Sequence, residues 1–139
     1  MALPAEEMRY TFADYLTWDE DDHIELIYGY PCMMSPPLRI HQKVSGELFA
    51  QLHGYLDGKK CEVYAAPFGV RLFQEEDDKP EDINTVVEPD LVVVCDPNKL
   101  DDYGCKGAPD LIVEILSPSS RRQDRIVNLD LYQRAGVRE

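Results

Sequence analysis

The chain has 139 residues, enough for one domain with a buried core, and 44% of them are hydrophobic, which excludes a disordered chain. Its formal net charge of −13 argues against general nucleic-acid binding, because such binding relies on lysine and arginine to neutralise phosphates. No apolar run approaches the roughly 18 residues that span a bilayer, so we expect no membrane association.

The N-terminal segment and the cysteines indicate the cellular compartment. Residues 1–10 contain neither the basic region nor the apolar region of a secretory signal, so we expect a cytoplasmic protein. The four cysteines are widely spaced and never form a CxxC pair. We therefore expect reduced, mostly buried thiols, and neither a zinc knuckle nor a disulfide framework. The cysteines are Cys32, Cys61, Cys95 and Cys105.

Charge is distributed unevenly along the chain. Residues 1–35 carry eight acids and one base, a net −7, whereas residues 117–139 carry five arginines and three acids, a net +2. Any contact with nucleic acid would therefore have to use the arginine-rich C-terminal face.

The N-terminal half predicts a short helix, a strand and a long helix. Thr11 followed by Asp14 is a capping pattern for the short helix, and residues 24–28 predict a strand. Apolar residues recur at spacings of three and four over residues 40–56, which is the clearest amphipathic helix in the chain. Asp57–Gly58 is a fitting end for that helix.

The C-terminal half predicts several strands and a final helix. Residues 61–66 and 68–73 alternate well enough for an antiparallel strand pair joined at Pro67, and residues 74–82 form a solvated acidic loop. The near-continuous apolar runs at 91–95 and 111–116 predict central strands that are covered on both faces. A helical pattern follows over residues 126–135.

This order predicts one α/β domain over residues 1–139, with a mixed central β-sheet flanked by helices. The chain stops directly after the last helix, where a sheet of this type would receive a further strand. We expect either that C-terminal strands are missing or that a partner completes the sheet edge. A homo-oligomeric scaffold that pairs through this edge is therefore one hypothesis for the function.

Two acids interrupt the apolar runs and are the candidate chemical centre. Asp90 opens the first run, and Glu114 lies inside the second. A charge in such surroundings costs several kcal/mol unless a cation pairs with it or its pKa is raised for acid–base work. Acids on adjacent strands can share Mg²⁺. The structural alternatives are a turn aspartate at Asp90 and a solvated edge position for Glu114.

Polar residues after Glu114 also have two interpretations. The hydroxyls of residues 117–120 lack a GxSxG elbow, which argues against a serine hydrolase, and they can cap the following helix. Asp124 and Asn128 share a face of that helix, and Arg121 and Arg125 form an adjacent column. A solvated polar face is the alternative to a functional one.

Three further residues are weaker candidates. His41 could be a general base or a ligand, although a single histidine at a helix start more often caps or packs. Glu25 and Glu47 have explanations as strand-face and helix-face acids and rank below Asp90 and Glu114.

Several strings together resemble the Uma-type restriction endonucleases, a bacterial family with a PD-(D/E)XK nuclease-like fold that was long catalogued as a domain of unknown function. The resemblance covers nearly the whole chain in one order, so it is more specific than any single motif. The strings are TFADYLTWDEDDHIELIYGYPCMMSPP, HQKVSGEL, EPDLVVVCDPNKLD, GCKGAPDLIVEILSPSSRRQDR and LYQRAGVRE.

The resemblance implies a restriction-endonuclease-like core that hydrolyses phosphodiester bonds, with DNA as the expected partner. The metal-binding aspartate of the family would fall on Asp90 and its glutamate on Glu114, with the carbonyl of Ile115 as a candidate third ligand. The implied cofactor is Mg²⁺ or Mn²⁺.

This chain departs from the family pattern at the position of the lysine. The wider superfamily places a lysine two residues after the glutamate, where this chain has Leu116. Uma-type proteins supply it from the next helix in a D-R-x-x-K pattern, which reads DRIVN here, so that Asn128 occupies the lysine position. Asparagine carries no charge and cannot replace an ammonium group. Two hypotheses follow: an active metal-dependent endonuclease, or an inactive family member that acts as a binding or assembly module.

Overall fold

The computed structural model describes residues 9–19, 21–117 and 122–139, and for residues 122–125 it describes the backbone alone. These residues form three α-helices and nine strands, together with short 3₁₀ turns at Pro80–Asp82 and Pro97–Lys99. The helices are α1 (Phe12–Tyr15), α2 (Arg39–Leu56) and α3 (Arg122–Ala135). The strands are β1 (Ile24–Ile27), β2 (Tyr30–Met33), β3 (Glu62–Ala65), β4 (Gly69–Arg71), β5 (Val86–Val87), β6 (Leu91–Val94), β7 (Leu100–Asp101), β8 (Gly104–Lys106) and β9 (Leu111–Val113).

The strands form two sheets. The larger sheet has the order β2-β1-β5-β4-β8-β7 and is mixed, because β4 and β8 run parallel whereas its other neighbours are antiparallel. The smaller sheet has the order β3-β6-β9 and is antiparallel throughout. The predicted α/β fold with a mixed sheet and flanking helices is confirmed.

Two predictions about strands are wrong. Residues 61–66 and 68–73 do not pair with each other, because β3 joins β6 in the small sheet whereas β4 joins β5 and β8 in the large one. The run at 111–116 is not a central strand. Its strand ends at Val113 and lies at the edge of the small sheet, so Glu114 follows the strand instead of sitting inside it.

The main core lies where the small sheet, the large sheet and α3 meet. Each large apolar side chain that is fully buried in this core stabilises the fold by about 1.5–3 kcal/mol. Its members are Val70, Leu72, Val87, Val92, Val94, Cys105, Leu131 and Tyr132. A second cluster joins α1 to the large sheet and contains Phe12, Leu26, Ile83 and Val86.

The long helix α2 is confirmed over Arg39–Leu56, but its environment differs from a core helix. None of these residues is buried, because the helix contacts β3 along one side and exposes apolar side chains such as Ile40 and Tyr55 along the rest. Within the described residues, no helix is both long enough and apolar enough to cross a membrane.

Cys61 and Cys95 form a disulfide, so the expectation of four reduced thiols is wrong for this pair. The pairing follows from the register of β3 and β6, in which Glu62 lies opposite Val94 and the next residues outward are the two cysteines. Sequence spacing gave no sign of it, because 34 residues separate the two positions. Cys32 and Cys105 remain thiols, and burial raises the pKa of Cys105 to about 11.

Candidate active site

The antiparallel pairing of β6 and β9 brings Asp90 and Glu114 to the same end of the small sheet. Leu91 lies opposite Val113, so the two acids are the next residues beyond the last pair. The backbone N–H of Ile115 donates to Oδ2 of Asp90 over 2.7 Å. Ile115 therefore joins the two acids through its amide and also lines the cleft in front of them.

Glu114 is held by the final helix. The hydroxyl of Tyr132, on α3, donates to Oε1 of Glu114 over 2.8 Å. The residue as a whole is exposed to the cleft, whereas its carboxyl group rests against the buried tyrosine. Burial raises the pKa of Glu114 to about 8; the Tyr132 hydrogen bond opposes that shift, and the charges of Asp90 and Glu25 add to it.

Two further acids lie buried behind this pair. The backbone N–H of Glu88 donates to Oε2 of Glu25 over 2.8 Å, and the Tyr15 hydroxyl donates to Oε2 of Glu88 over 2.7 Å. Burial raises the pKa of Glu25 to about 7, against the hydrogen bond from Glu88, and the charges of Glu88 and Asp90 raise it further. The site therefore contains more acidic groups than the two predicted acids alone.

His41 reaches the site from the first turns of α2. Its Nε2 lies 3.2 Å from Oδ1 of Asp90, and both side chains are 17% exposed. Its Nδ1 is buried and has no hydrogen-bond partner among the residues that the structure describes. Glu47, on the same helix, is exposed and does not line the cleft.

A cleft of about 1140 Å³ is lined by His41, Glu88, Asp90 and Glu114. Asn128, on α3, lines the cleft together with Asp90 and Glu114, and Arg138 is the one arginine or lysine among the lining residues that the structure describes. Apolar side chains form much of the rest of the wall. They include Met33, Leu38, Leu116 and Leu129. The predicted roles of Ser119, Ser120, Arg121, Asp124 and Arg125 fall outside the described residues and side chains.

Comparison with known proteins gives the family. A family model described as "Uma2: Putative restriction endonuclease" matches residues 12–139. The chain belongs to the Uma2 family. The resemblance inferred from the sequence is therefore confirmed.

Two relatives place this Uma2 chain among known proteins. "Uncharacterized protein slr1290" of Synechocystis sp. (strain ATCC 27184 / PCC 6803 / Kazusa) is 27% identical over 121 residues, which cover 86% of this chain and 60% of that protein. A crystal structure described as a putative nuclease belonging to DUF820, from Anabaena variabilis ATCC 29413, aligns with a TM-score of 0.70 and 17% identity over 92% of this chain and 70% of that one. The chain thus spans about 60% of the length of the curated relative, and the crystal structure shows a shared fold.

Part of this candidate site is not predicted from the sequence. Glu88 is not among the sequence candidates, and Tyr132 is predicted only as part of the final helix. The available signal was the acid two residues before Asp90, at the start of the same apolar run. Within the described portion of the chain, no group of three or more histidine, cysteine, aspartate or glutamate side chains is arranged to hold a metal ion.

Proposed function

We propose that this chain is a metal-dependent endonuclease domain of the PD-(D/E)XK type, which hydrolyses phosphodiester bonds in DNA. The observation that carries the proposal is the meeting of Asp90 and Glu114 at one end of β6 and β9, inside an open cleft. Membership of a family described as restriction endonucleases and a fold shared with a protein described as a nuclease support it. Because the chain spans only part of its relatives, this activity is proposed for the domain.

The donor set suits a hard cation. Asp90 and Glu114 would hold Mg²⁺ or Mn²⁺, with the carbonyl of Ile115 as the third protein ligand, because these ions prefer oxygen ligands and retain several waters. Burial raises the pKa of Glu114, and a bound cation would offset this shift by stabilising the ionised carboxylate. A bound cation of this kind polarises the phosphoryl group and makes water more acidic.

In this proposal, residues of the chain orient the two acids and bind the substrate. Tyr132 and the Ile115 amide hold the two acids in place through hydrogen bonds. Arg138, at the cleft wall, is positioned to contact a phosphate of the substrate. Asn128 can donate and accept hydrogen bonds toward the substrate but cannot offer a positive charge.

A second candidate function is an inactive member of the family that binds without cleaving. The observation that favours it is the presence of Asn128 on the cleft wall, at the position where the family supplies lysine. In this reading the acid pair still binds a cation, and the domain acts as a binding or assembly module.

The two candidates separate in one cleavage experiment. Purified protein is incubated with plasmid DNA and Mg²⁺ or Mn²⁺, beside Asp90→Ala, Glu114→Ala and the exposed control Glu47→Ala. The endonuclease proposal expects cleavage by the natural chain and by Glu47→Ala only, and cleavage that survives both site substitutions would remove the assignment. Activity that appears only in Asn128→Lys would show that the natural chain is the inactive type.

We also propose a cytoplasmic homo-oligomer. The exposed apolar side chains of α2 and α3 support self-association. The disulfide between Cys61 and Cys95 is an observation against the cytoplasm, because disulfides are uncommon in a reducing compartment. Light scattering of the purified protein measures the solution mass, and a monomer at all concentrations would reject the oligomer. Cell fractionation measures the location.

A further inference from the structure

His41 links the long helix to the acid pair, and neither capping nor packing, the usual roles of a histidine at a helix start, accounts for its contacts. The helix begins after its N-cap residue Leu38, and no side-chain hydrogen bond caps that end among the described residues. The His41 ring instead points its Nε2 at Oδ1 of Asp90, 49 residues further along the chain, at 3.2 Å. The capping interpretation is therefore excluded.

The contact completes the restraint of the Asp90 carboxylate. One oxygen, Oδ2, accepts from the backbone N–H of Ile115 over 2.7 Å, and the other, Oδ1, faces His41. The two donors come from different elements, the chain after β9 and the start of α2. A carboxylate with a single donor can rotate about its terminal torsion, which is broad, whereas two donors on opposite oxygens fix its plane.

The other ring nitrogen makes simple packing an insufficient explanation. His41 Nδ1 is buried and, within the described part of the chain, has no hydrogen-bond partner, which is a cost that an apolar side chain of similar size would not carry. A histidine that only filled space here would be replaceable by leucine. The one polar contact that the ring makes among the described residues is the one to Asp90.

We propose that His41 is a positioning residue of this site, whose Nε2–H holds the Asp90 carboxylate in the orientation needed to bind a divalent cation beside Glu114. The cation in this inference rests on the proposed function, whereas the hydrogen bond between His41 and Asp90 does not depend on that function. His41 acts through Asp90, and so its substitution is expected to weaken cation binding without removing the ligands. Loss of such an outer partner typically lowers metal affinity by about 10- to 100-fold.

The first test compares two substitutions by calorimetric titration of the intact chain with Mn²⁺. Glutamine in His41→Gln keeps an N–H donor at a similar reach, whereas His41→Leu keeps volume and removes the donor. We expect a loss of about tenfold or more in Mn²⁺ affinity for leucine and a loss of less than about threefold for glutamine. Equal affinities for the natural chain and His41→Leu, or equal losses in both variants, would overturn the proposal.

The matched control is His53→Leu, on the same helix. His53 is exposed, stacks on Phe49 and does not line the cleft, so its substitution should leave Mn²⁺ affinity unchanged. Thermal melting of each variant checks that the fold is retained.

The second test needs no metal and separates failure of this inference from failure of the proposed function. The ring ¹⁵N resonances of histidine-labelled, metal-free protein are recorded for the natural chain and for Asp90→Ala. We expect the His41 signals to move and the His53 signals to stay. If the natural chain binds no Mn²⁺ but the His41 signals move, the proposed function fails and the positioning contact stands; unmoved His41 signals overturn the positioning contact.

Discussion

The Tyr132 hydroxyl donates a 2.8 Å hydrogen bond to Oε1 of Glu114, which ties helix α3 to the residue that follows β9. Tyr132 is 7% exposed and belongs to the main core, so the bond connects the cleft to that core. Burial and the neighbouring charge of Glu114 raise the pKa of Tyr132 well above its ordinary value, which keeps the hydroxyl protonated as a donor. The orientation of Glu114 thus depends on the packing of α3.

Removing this hydroxyl should loosen the site while preserving the core. In Tyr132→Phe the ring still fills its space, but Oε1 of Glu114 loses its donor, so we expect the free energy of unfolding to fall by about 1–2 kcal/mol. Urea denaturation measures the change. Tyr103→Phe, at an exposed ring, is the control and should change it by less than about 0.5 kcal/mol. Equal effects in the two variants would contradict the structural role of the bond.

Stability should fall as pH rises from about 5 to 8. Glu25 has an ordinary pKa of 4.5 in the unfolded chain and about 7 in the folded one, because burial opposes its ionisation. Between these two pH values, Glu25 keeps a proton in the folded state that it has lost in the unfolded state. The contribution of Glu25 to the free energy of unfolding is therefore complete below pH 4.5 and is lost as the pH rises past 7. The loss is at most about 3 kcal/mol for Glu25. Glu114, with a pKa raised to about 8, contributes with the same sign.

Glu25→Gln tests this pH dependence. Glutamine cannot ionise but can still accept from the Glu88 amide, so the variant should melt at a temperature that depends less on pH than the natural chain does. Melting temperatures at pH 5, 6, 7 and 8 give the comparison. Glu47→Gln, at an exposed position of α2, should keep the natural slope. A Glu25→Gln slope equal to the natural one would exclude Glu25 as its source.

The disulfide should stabilise the domain under oxidising conditions. A cross-link between residues 34 positions apart is expected to raise the free energy of unfolding by about 2–4 kcal/mol. Addition of a reductant should therefore lower the melting temperature of the natural chain. The double variant Cys61→Ser, Cys95→Ser should melt at the lower temperature and show no response to reductant. A natural chain that is insensitive to reductant would mean that the bond is absent in solution.

Arg138 should contribute to DNA binding. If the proposed function holds, Arg138→Gln should weaken binding to a DNA duplex and reduce by about one the slope of log affinity against log salt. Arg134→Gln is the matched control, because Arg134 is exposed and bonds to Asp130 on its own helix. Fluorescence anisotropy at several salt concentrations measures both slopes. Equal slopes in the two variants would remove Arg138 from the interface.

The sequence predicted the local elements better than their pairing. The spacing of apolar residues over 40–56 predicted the start of α2 within one residue of its position in the structure. The apolar runs beginning at Leu91 and Leu111 predicted two strands, and the pairing of those strands brings Asp90 and Glu114 together. Their role as metal ligands remains a prediction.

Contacts between distant segments could not be predicted in the same way. The bond from the Glu88 amide to Glu25 spans 63 residues, and it arises because β5 pairs with β1 in the large sheet. The contact of His41 with Asp90 depends on where α2 lies on the small sheet. A single sequence carries periodicity along one element but little information on which elements become neighbours.

Strand β6 lies between the disulfide at one end and the candidate acid Asp90 at the other. The disulfide lies just beyond Val94, and the candidate acid lies just before Leu91, where the Ala66 amide still donates to the Asp90 carbonyl over 3.0 Å. Fraying of the β3–β6 ladder can therefore start only from the cleft end, because the opposite end is covalently joined. Amide hydrogen exchange along this ladder should be fastest at Ala66 and slow progressively toward Val94. Local opening of the small sheet would then reshape the cleft before it disturbs any other part of that sheet.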